Sequence, residues 1–288
     1  MFADYHIHTN YSPDSSVNME DYIIQAIKLG YSDICFTDHI DCGTPYCFCC
    51  DTKNYSKDIL KYQEKYKDKI KIKLGMEFGA QAHFATYFQN IFNSYNFDFI
   101  ILSFHIIDDK DLWDGSFQRG KTQAEFNYKY YEEIYKTIQV YNNYSVLGHL
   151  DLIRRYDDFG EMPFIYNKEI IEEILLHIIE KEKGIELNTS SFRYKLQDLM
   201  PSVDILKFYK ELGGEIITIG SDCHYLSHFG YKIQEMREFL KTIGYKYFCT
   251  FDKMKINFHP LWYNQTNHYQ KETIWKYHLL ATILFKQN

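Results

Sequence analysis

The sequence predicts an α/β protein built as a closed or distorted (β/α) barrel, with a doubly wound open sheet as the second choice. Three observations point there. Short apolar runs alternate with amphipathic stretches along most of the chain, which implies a parallel sheet joined by helical crossovers. Seven or eight such units fit within about 250 residues, a common size for one barrel domain. Metal-binding residue types recur at the C-terminal end of six predicted strands, the end where a parallel barrel carries its active site.

The strand-like runs are residues 2–7, 33–37, 70–76, 97–104, 145–148, 184–187, 215–219 and 246–250. Helical patterns lie between them over 19–29, 55–67, 122–140, 168–183 and 203–212. Asn18, followed by Asp21 three residues later, reads as a capping box at the start of the first helix. No linker or repeat divides residues 1–260, which are expected to form a single domain. Beyond Pro260 the rhythm stops. Residues 261–288 are rich in Asn, Gln, Tyr and His and read as a C-terminal tail, either a terminal helix or a poorly packed segment.

The 288 residues carry 32 Lys+Arg against 39 Asp+Glu, a net charge of −7. No global positive field exists to attract nucleic acid or a membrane surface, although a local anion site is compatible with this balance. No apolar run reaches the ~20 residues of a membrane span. The N-terminus lacks the basic and apolar regions of a signal peptide. Seven cysteines, an odd number with no secretory context, are expected as reduced thiols in the cytoplasm.

The ends of the strands carry the chemistry. The first run ends in His6-Ile7-His8, with Asp14 downstream, and the second in Thr37-Asp38-His39. The next three end in Glu77, His105 and His149, and a later one in Ser221-Asp222-Cys223-His224. Extended side chains alternate with period two, so His6 and His8 point the same way and one metal can take both imidazoles. Asp222 and His224 repeat that spacing. Six His, two Asp and one Glu form a nitrogen and oxygen donor set suited to Zn, Mn or Fe. Nine ligands exceed the needs of one ion, so two or three divalent ions sharing a bridging carboxylate are expected. A lone histidine at a strand end is usually a packed residue, but six at one barrel face outweigh that reading.

Arg154, Arg155 and Arg193 follow strands on the same rim. The planar fork of an arginine suits phosphate oxygens, and anion binding is expected of Arg155 and Arg193, while Arg154 fits a rim salt bridge. Cys42, Cys47, Cys49 and Cys50 crowd one loop without the paired spacing of a zinc knuckle and read as unbound thiols. His177 reads as core or boundary. His83, His228 and His259 could reach the mouth of the site, and His268 and His278 read as surface residues of the tail.

These motifs resemble those of the PHP (polymerase and histidinol phosphatase) superfamily, at His6-x-His8, Thr37-Asp38-His39, Gly148-His149 and Ser221-Asp222-x-His224. Within it the chain resembles the histidinol-phosphate phosphatases, through Gly148-His149-Leu150-Asp151-Leu152-Ile153, Glu186-Leu187-Asn188-Thr189-Ser190 and Pro201-Ser202. The resemblance implies a distorted seven-stranded barrel with a trinuclear centre. One ion would take His6, His8, Glu77 and Asp222; a second would share Glu77 and add His105 and His149; a third would take Asp14, His39 and His224. It further implies hydrolysis of L-histidinol phosphate in histidine biosynthesis by a metal-activated hydroxide. Glu77, Asp222, His224 and Arg155 would serve catalysis, and Arg155 and Arg193 would hold the phosphoryl group, in a monomer or homodimer. Competing readings are a phosphoesterase for another small phosphate ester or nucleotide, a non-catalytic metal-binding module, and a metal amidohydrolase.

Overall fold

The structure is a computed structural model that describes residues 1–42 and 49–262. Seven parallel strands form the barrel: β1 (Ala3–Asp4), β2 (Asp33–Phe36), β3 (Lys71–Gly79), β4 (Phe99–Ser103), β5 (Val146–Leu147), β6 (Gly184–Asn188) and β7 (Ile217–Gly220). Neighbours pair in that order. A short segment, His39–Asp41, prolongs the β2 side and pairs in parallel with β3. The seam between first and last strands closes just beyond them. There Tyr5 N donates to Ile219 O (3.2 Å) and His8 N to Cys223 O (3.0 Å), with Ile7 paired to Cys223. The barrel is therefore distorted at the seam that carries the His6-x-His8 and Asp222-x-His224 segments.

Among the described residues, seven α-helices cover the outside: α1 (Met19–Lys28), α2 (Thr52–Tyr66), α3 (Ala85–Ser94), α4 (Gln123–Val140), α5 (Lys168–Glu180), α6 (Val203–Glu211) and α7 (Ile233–Thr242). Each lays an apolar stripe on the sheet, as Tyr22, Ile23 and Ala26 do from α1 and Ile171, Ile174 and Ile178 from α5. The capping box expected at Asn18 does not form. The Asn18 side chain makes no cap bond and reaches Asp21 instead. A full capping box stands at α4, where Thr122 and Glu125 satisfy each other's backbone N–H groups. Ser202 caps α6 by accepting from Ile205 N.

The eighth strand-like run is no barrel strand. Tyr247–Asp252 pairs antiparallel with Lys255–Pro260, and this hairpin covers the N-terminal end of the barrel. Lys253 and Met254 hold φ of 50° and 63°, the left-handed pair of a two-residue hairpin turn. Asp98 pins that turn, its Oδ1 accepting from Lys253 N (2.9 Å) and its carbonyl from Met254 N (2.9 Å). The Tyr5 hydroxyl donates to Asp33 Oδ1 (3.2 Å) and accepts from Phe251 N (3.2 Å). Among the described residues, no helix is long and apolar enough to cross a membrane.

Burial pushes the Asp33 carboxyl up to about 7, against the pull of Lys73 and the Tyr5 hydroxyl. The unfolded chain ionises this group near ~3.9. The folded chain therefore holds an extra proton between that pH and about 7, and stability falls as pH rises through the window. Asp33→Asn should flatten this part of the profile, read as urea midpoints at about pH 5 and about pH 8. A variant with the wild-type difference between the two would show that Asp33 is not its source.

Candidate metal centre

Glu77, near the C-terminal end of β3, sits fully buried at the middle of the rim. Its Oε2 lies 3.2 Å from His6 Nε2, 3.4 Å from His8 Nε2 and 3.0 Å from His39 Nδ1. Its Oε1 lies 3.0 Å from His149 Nε2 and 3.4 Å from His105 Nε2, and accepts from Ser103 Oγ at 2.6 Å. Asp222 Oδ1 faces His8 Nε2 at 3.4 Å and His6 Nε2 at 3.7 Å. Asp14 Oδ2 faces His224 Nε2 at 3.0 Å and His39 Nε2 at 3.5 Å. The fold thus brings together all nine candidate ligands named from the sequence. His6 and His8 do point the same way, and the His8 ring stacks between those of His39 and His224 at 4.1 Å each.

Several of these atoms lack what a buried polar atom needs. His6 Nε2, His8 Nε2, His39 Nδ1, His149 Nδ1 and Glu77 Oε2 are buried without a hydrogen bond, a costly state that a cation would relieve. Donor atoms of His8, His39 and His224 lie within 4.8 Å of one another, as do those of His6, His8 and Glu77 and those of His39, Glu77 and His105. Burial raises the Glu77 carboxyl, yet the charges of His6, His39 and His105 hold it well below the carboxylate range. Asp222 behaves alike beside His6, His8 and His224. Burial, with His224 and His39 adding to it, keeps His8 neutral and ready to donate a lone pair. Ionised carboxylates and aimed imidazoles fit divalent metal ions.

A second layer, not anticipated from the sequence, orients the first. Glu186 on β6 takes His6 Nδ1 with one oxygen (2.6 Å), while the other accepts from His149 N (3.0 Å). Asp41 Oδ1 holds His105 Nδ1 at 2.9 Å. Asp38 accepts from Thr9 N, Thr9 Oγ1 and Ser12 Oγ, and Ser12 in turn meets His8 Nδ1 (3.3 Å). Asp4 accepts from Ser221 N, Ser221 Oγ and Gly230 N, tying β1 to the segment that carries Asp222. Gly79 and Gly220 leave the space these carboxylates occupy: a Cβ on the first would strike Asp41, and on the second Glu186 and His6. A charged residue inside an apolar strand, as in Gly184–Asn188, was the available signal for Glu186.

The arginines divide as expected for Arg154, which is locked by Asp151, Leu199 O and Glu161. Arg193 Nη2 donates to Ser221 O (2.8 Å) and Asp222 O (2.7 Å), while its Nη1 is buried without a partner. Arg155 stacks on Tyr194 and Tyr156. His177 is half-buried and meets Ile138 O, and His83 pairs with Asp109. His228 lies close enough to His224 and Arg193 to feel their charge. His259 does not reach the mouth: it binds Thr250 on the hairpin at the opposite end. Cys47, His268 and His278 lie outside the described residues.

The PHP domain family matches residues 4–190. The histidinol-phosphatase of Lactococcus lactis is 35% identical over 258 residues, covering 88% of this chain and 96% of its own. The crystal structure of histidinol phosphate phosphatase from the same organism, complexed with zinc, L-histidinol and phosphate, superposes with a TM-score of 0.81 over 88% of this chain and 98% of that one. A chain from Listeria monocytogenes at 17% identity shares the fold, with a TM-score of 0.68 over 81% of this chain and 99% of its own.

Zinc added to metal-stripped protein should raise its melting temperature, since a ligand at 100 times its dissociation constant contributes ~2.7 kcal/mol. Glu186→Gln should keep the fold but weaken zinc binding ~10–100-fold, the usual cost of removing a carboxylate behind a ligating histidine. A thermal scan reads the first and titration calorimetry the second. Undiminished affinity in that variant would remove Glu186 from the metal-orienting layer.

Proposed function

The chain belongs to the PHP domain family, and from that premise we propose that it is a divalent-metal-dependent phosphomonoesterase that hydrolyses L-histidinol phosphate to L-histidinol and phosphate. One observation carries the reading: a relative crystallised with zinc, L-histidinol and phosphate covers nearly the whole described fold, over a rim where nine metal-competent side chains converge.

On this reading up to three divalent ions would share the site. His6, His8, Glu77 and Asp222 would hold the first, Glu77 with His105 and His149 the second, and Asp14, His39 and His224 the third. The donor set favours zinc and is compatible with manganese or iron. Bound ions of this kind supply a water of lowered pKa and screen the charge of the phosphoryl oxygens. The protein's own share is positioning. Glu77, which alone among the described carboxylates reaches five imidazoles, spans two of the donor groups. Asp222 and His224 approach from the β7 end, and Asp4 and Arg193 fix the Ser221–Asp222 backbone from either side. Arg193 keeps Nη1 for a phosphoryl oxygen while Nη2 holds the Asp222 carbonyl. Arg155, carried on Tyr194 and Tyr156, supplies a second guanidinium at the rim. Together they would stabilise charge developing on the equatorial oxygens in the transition state.

Phosphate release by metal-replete protein should be fastest with L-histidinol phosphate beside AMP, glucose 6-phosphate and a DNA 3′-phosphate. His8→Ala and Asp222→Ala should each cut kcat by about two orders of magnitude or more. A preference for another ester would keep the metal chemistry and discard the substrate. Arg193→Ala should lower kcat/KM ~10–100-fold, the loss of a charge-assisted hydrogen bond. Arg193→Lys should not recover it, because a single ammonium cannot hold two carbonyls and a phosphoryl oxygen in a fixed fork. Wild-type kinetics in Arg193→Ala would exclude that arginine from the anion site.

A further inference from the structure

Strand β6 ends in a second buried polar side chain, Asn188, two residues beyond Glu186 and on the same face by strand alternation. Its main chain is fixed on both sides: it pairs with Gly220 of β7, and its N–H donates to Met200 O at 2.8 Å. A carboxamide carries an acceptor oxygen and two N–H donors, and when fully buried it must find partners for all of them. Asn188 Oδ1 accepts from Ser190 N at 2.9 Å, which settles the end that bears the oxygen. Nδ2 then donates to Glu186 Oε2 at 3.0 Å and to Asp222 Oδ2 at 3.4 Å.

We infer that Asn188 is a positioning residue of the metal centre, its amide locking the carboxylate behind His6 and His149 to the carboxylate of Asp222 as one unit. This role rests on the metal-centre reading and names the residue through which two parts of that centre are set together. Glu186 Oε1 holds His6 Nδ1, and its Oε2 accepts from His149 N as well as from Asn188. With Asp222 Oδ2 taken by the same amide, Oδ1 is the oxygen turned to His8 and His6. Two buried carboxylates repel each other, and a neutral NH2 between them supplies each with a hydrogen. The bridge also runs on into the anion side. Ser190, held by Asn188 Oδ1, gives its carbonyl to Arg193 N at 2.8 Å, and Arg193 Nη2 returns to the Asp222 carbonyl at 2.7 Å. Asn188, Ser190, Arg193 and Asp222 thereby close a ring that joins the candidate metal ligands to the arginine at the rim.

A simpler role would be to cap the turn Thr189–Phe192, which Asn188 opens. An aspartate performs that task as well, since its oxygen accepts from the backbone N–H in the same geometry. An aspartate cannot give two hydrogens to two carboxylates; it puts a further acceptor where the donors stood. Asn188→Asp therefore separates the bridge from the cap at nearly constant size.

The test uses the full-length chain, first stripped of metal and titrated with zinc by calorimetry, then metal-replete in hydrolysis of 4-nitrophenyl phosphate. Asn188→Asp should weaken zinc binding ~10–100-fold and lower kcat about tenfold, as loss of a partner behind a metal ligand does. Asn188→Ala, which adds no charge, should lose about tenfold in zinc affinity and keeps the test open if Asn188→Asp does not fold. Combined with Glu186→Gln, Asn188→Ala should cost less than the product of the two single losses, because both act through one carboxylate. Wild-type zinc affinity in Asn188→Asp, or fully multiplicative losses in the double variant, overturns the inference. A wild-type chain that takes up no zinc overturns the metal centre itself, so the two failures are told apart. Neither readout depends on which phosphate ester is preferred.

Discussion

A carboxylate withdrawn from water costs several kcal/mol unless positive charge replaces its lost hydration, and Glu77 is withdrawn completely at the centre of five imidazoles. One serine hydroxyl reaches it, which is too little to compensate a buried charge. The rim around Glu77 follows from this constraint. Imidazoles approach both oxygens, further carboxylates orient the imidazoles, and glycines open the space behind them. Such a network has more negative than positive groups, so it calls for cations from outside the chain.

The strained part of the site lies opposite Glu77. Asp222 holds φ of 53° and His149 of 21°, both unusual for residues with a Cβ. At Asp222 the strain is offset by identifiable bonds: Asp4 takes Ser221 N and Oγ on one side, and Arg193 takes the Ser221 and Asp222 carbonyls on the other. The same Asp4 belongs to β1, whose next residues lead to His6 and His8. Below it, Tyr5 ties β1 to Phe251 of the hairpin. The barrel seam is thus knotted at both ends, and its two metal-facing pairs stay in register although few ladder bonds join them.

Residue type and spacing made the candidate ligands, and their convergence on one rim, legible in the sequence. His6-x-His8 and Asp222-x-His224 obey strand alternation, and metal-binding residues at the ends of successive parallel strands must converge on one cavity. The second layer was not legible, because Asp38 and Asp41 look like any other acids until the fold shows what they touch. Asp41 stood two positions from His39, a strand spacing that hinted at a shared face. Helix α3 left no clear pattern because its sequence, rich in Asn and aromatics, has low helix propensity and is held by packing around Phe88. The last strand run was visible but its direction was not. Period two cannot separate a parallel strand from a hairpin arm, and the turn uses Lys253 and Met254 where glycine would have announced it.

Charge also orders the events at the rim. The protein is net acidic, and with the imidazoles neutral, as metal ligation requires, three ionised carboxylates among the nine donors would repel a phosphate ester. Two divalent ions would turn that set positive, and a third would strengthen it. Arg193 and Arg155 add positive charge but do not by themselves outweigh the three carboxylates. Arg193 is moreover committed through Nη2 to the backbone of a metal-facing residue, leaving one nitrogen for a ligand. On the proposed reading, anion binding would depend on metal binding first, and the arginines would select and orient what the ions attract. A side chain that braces Asp222 and would also take a phosphoryl oxygen would couple the two steps, because a shift of either partner is felt through one rigid guanidinium.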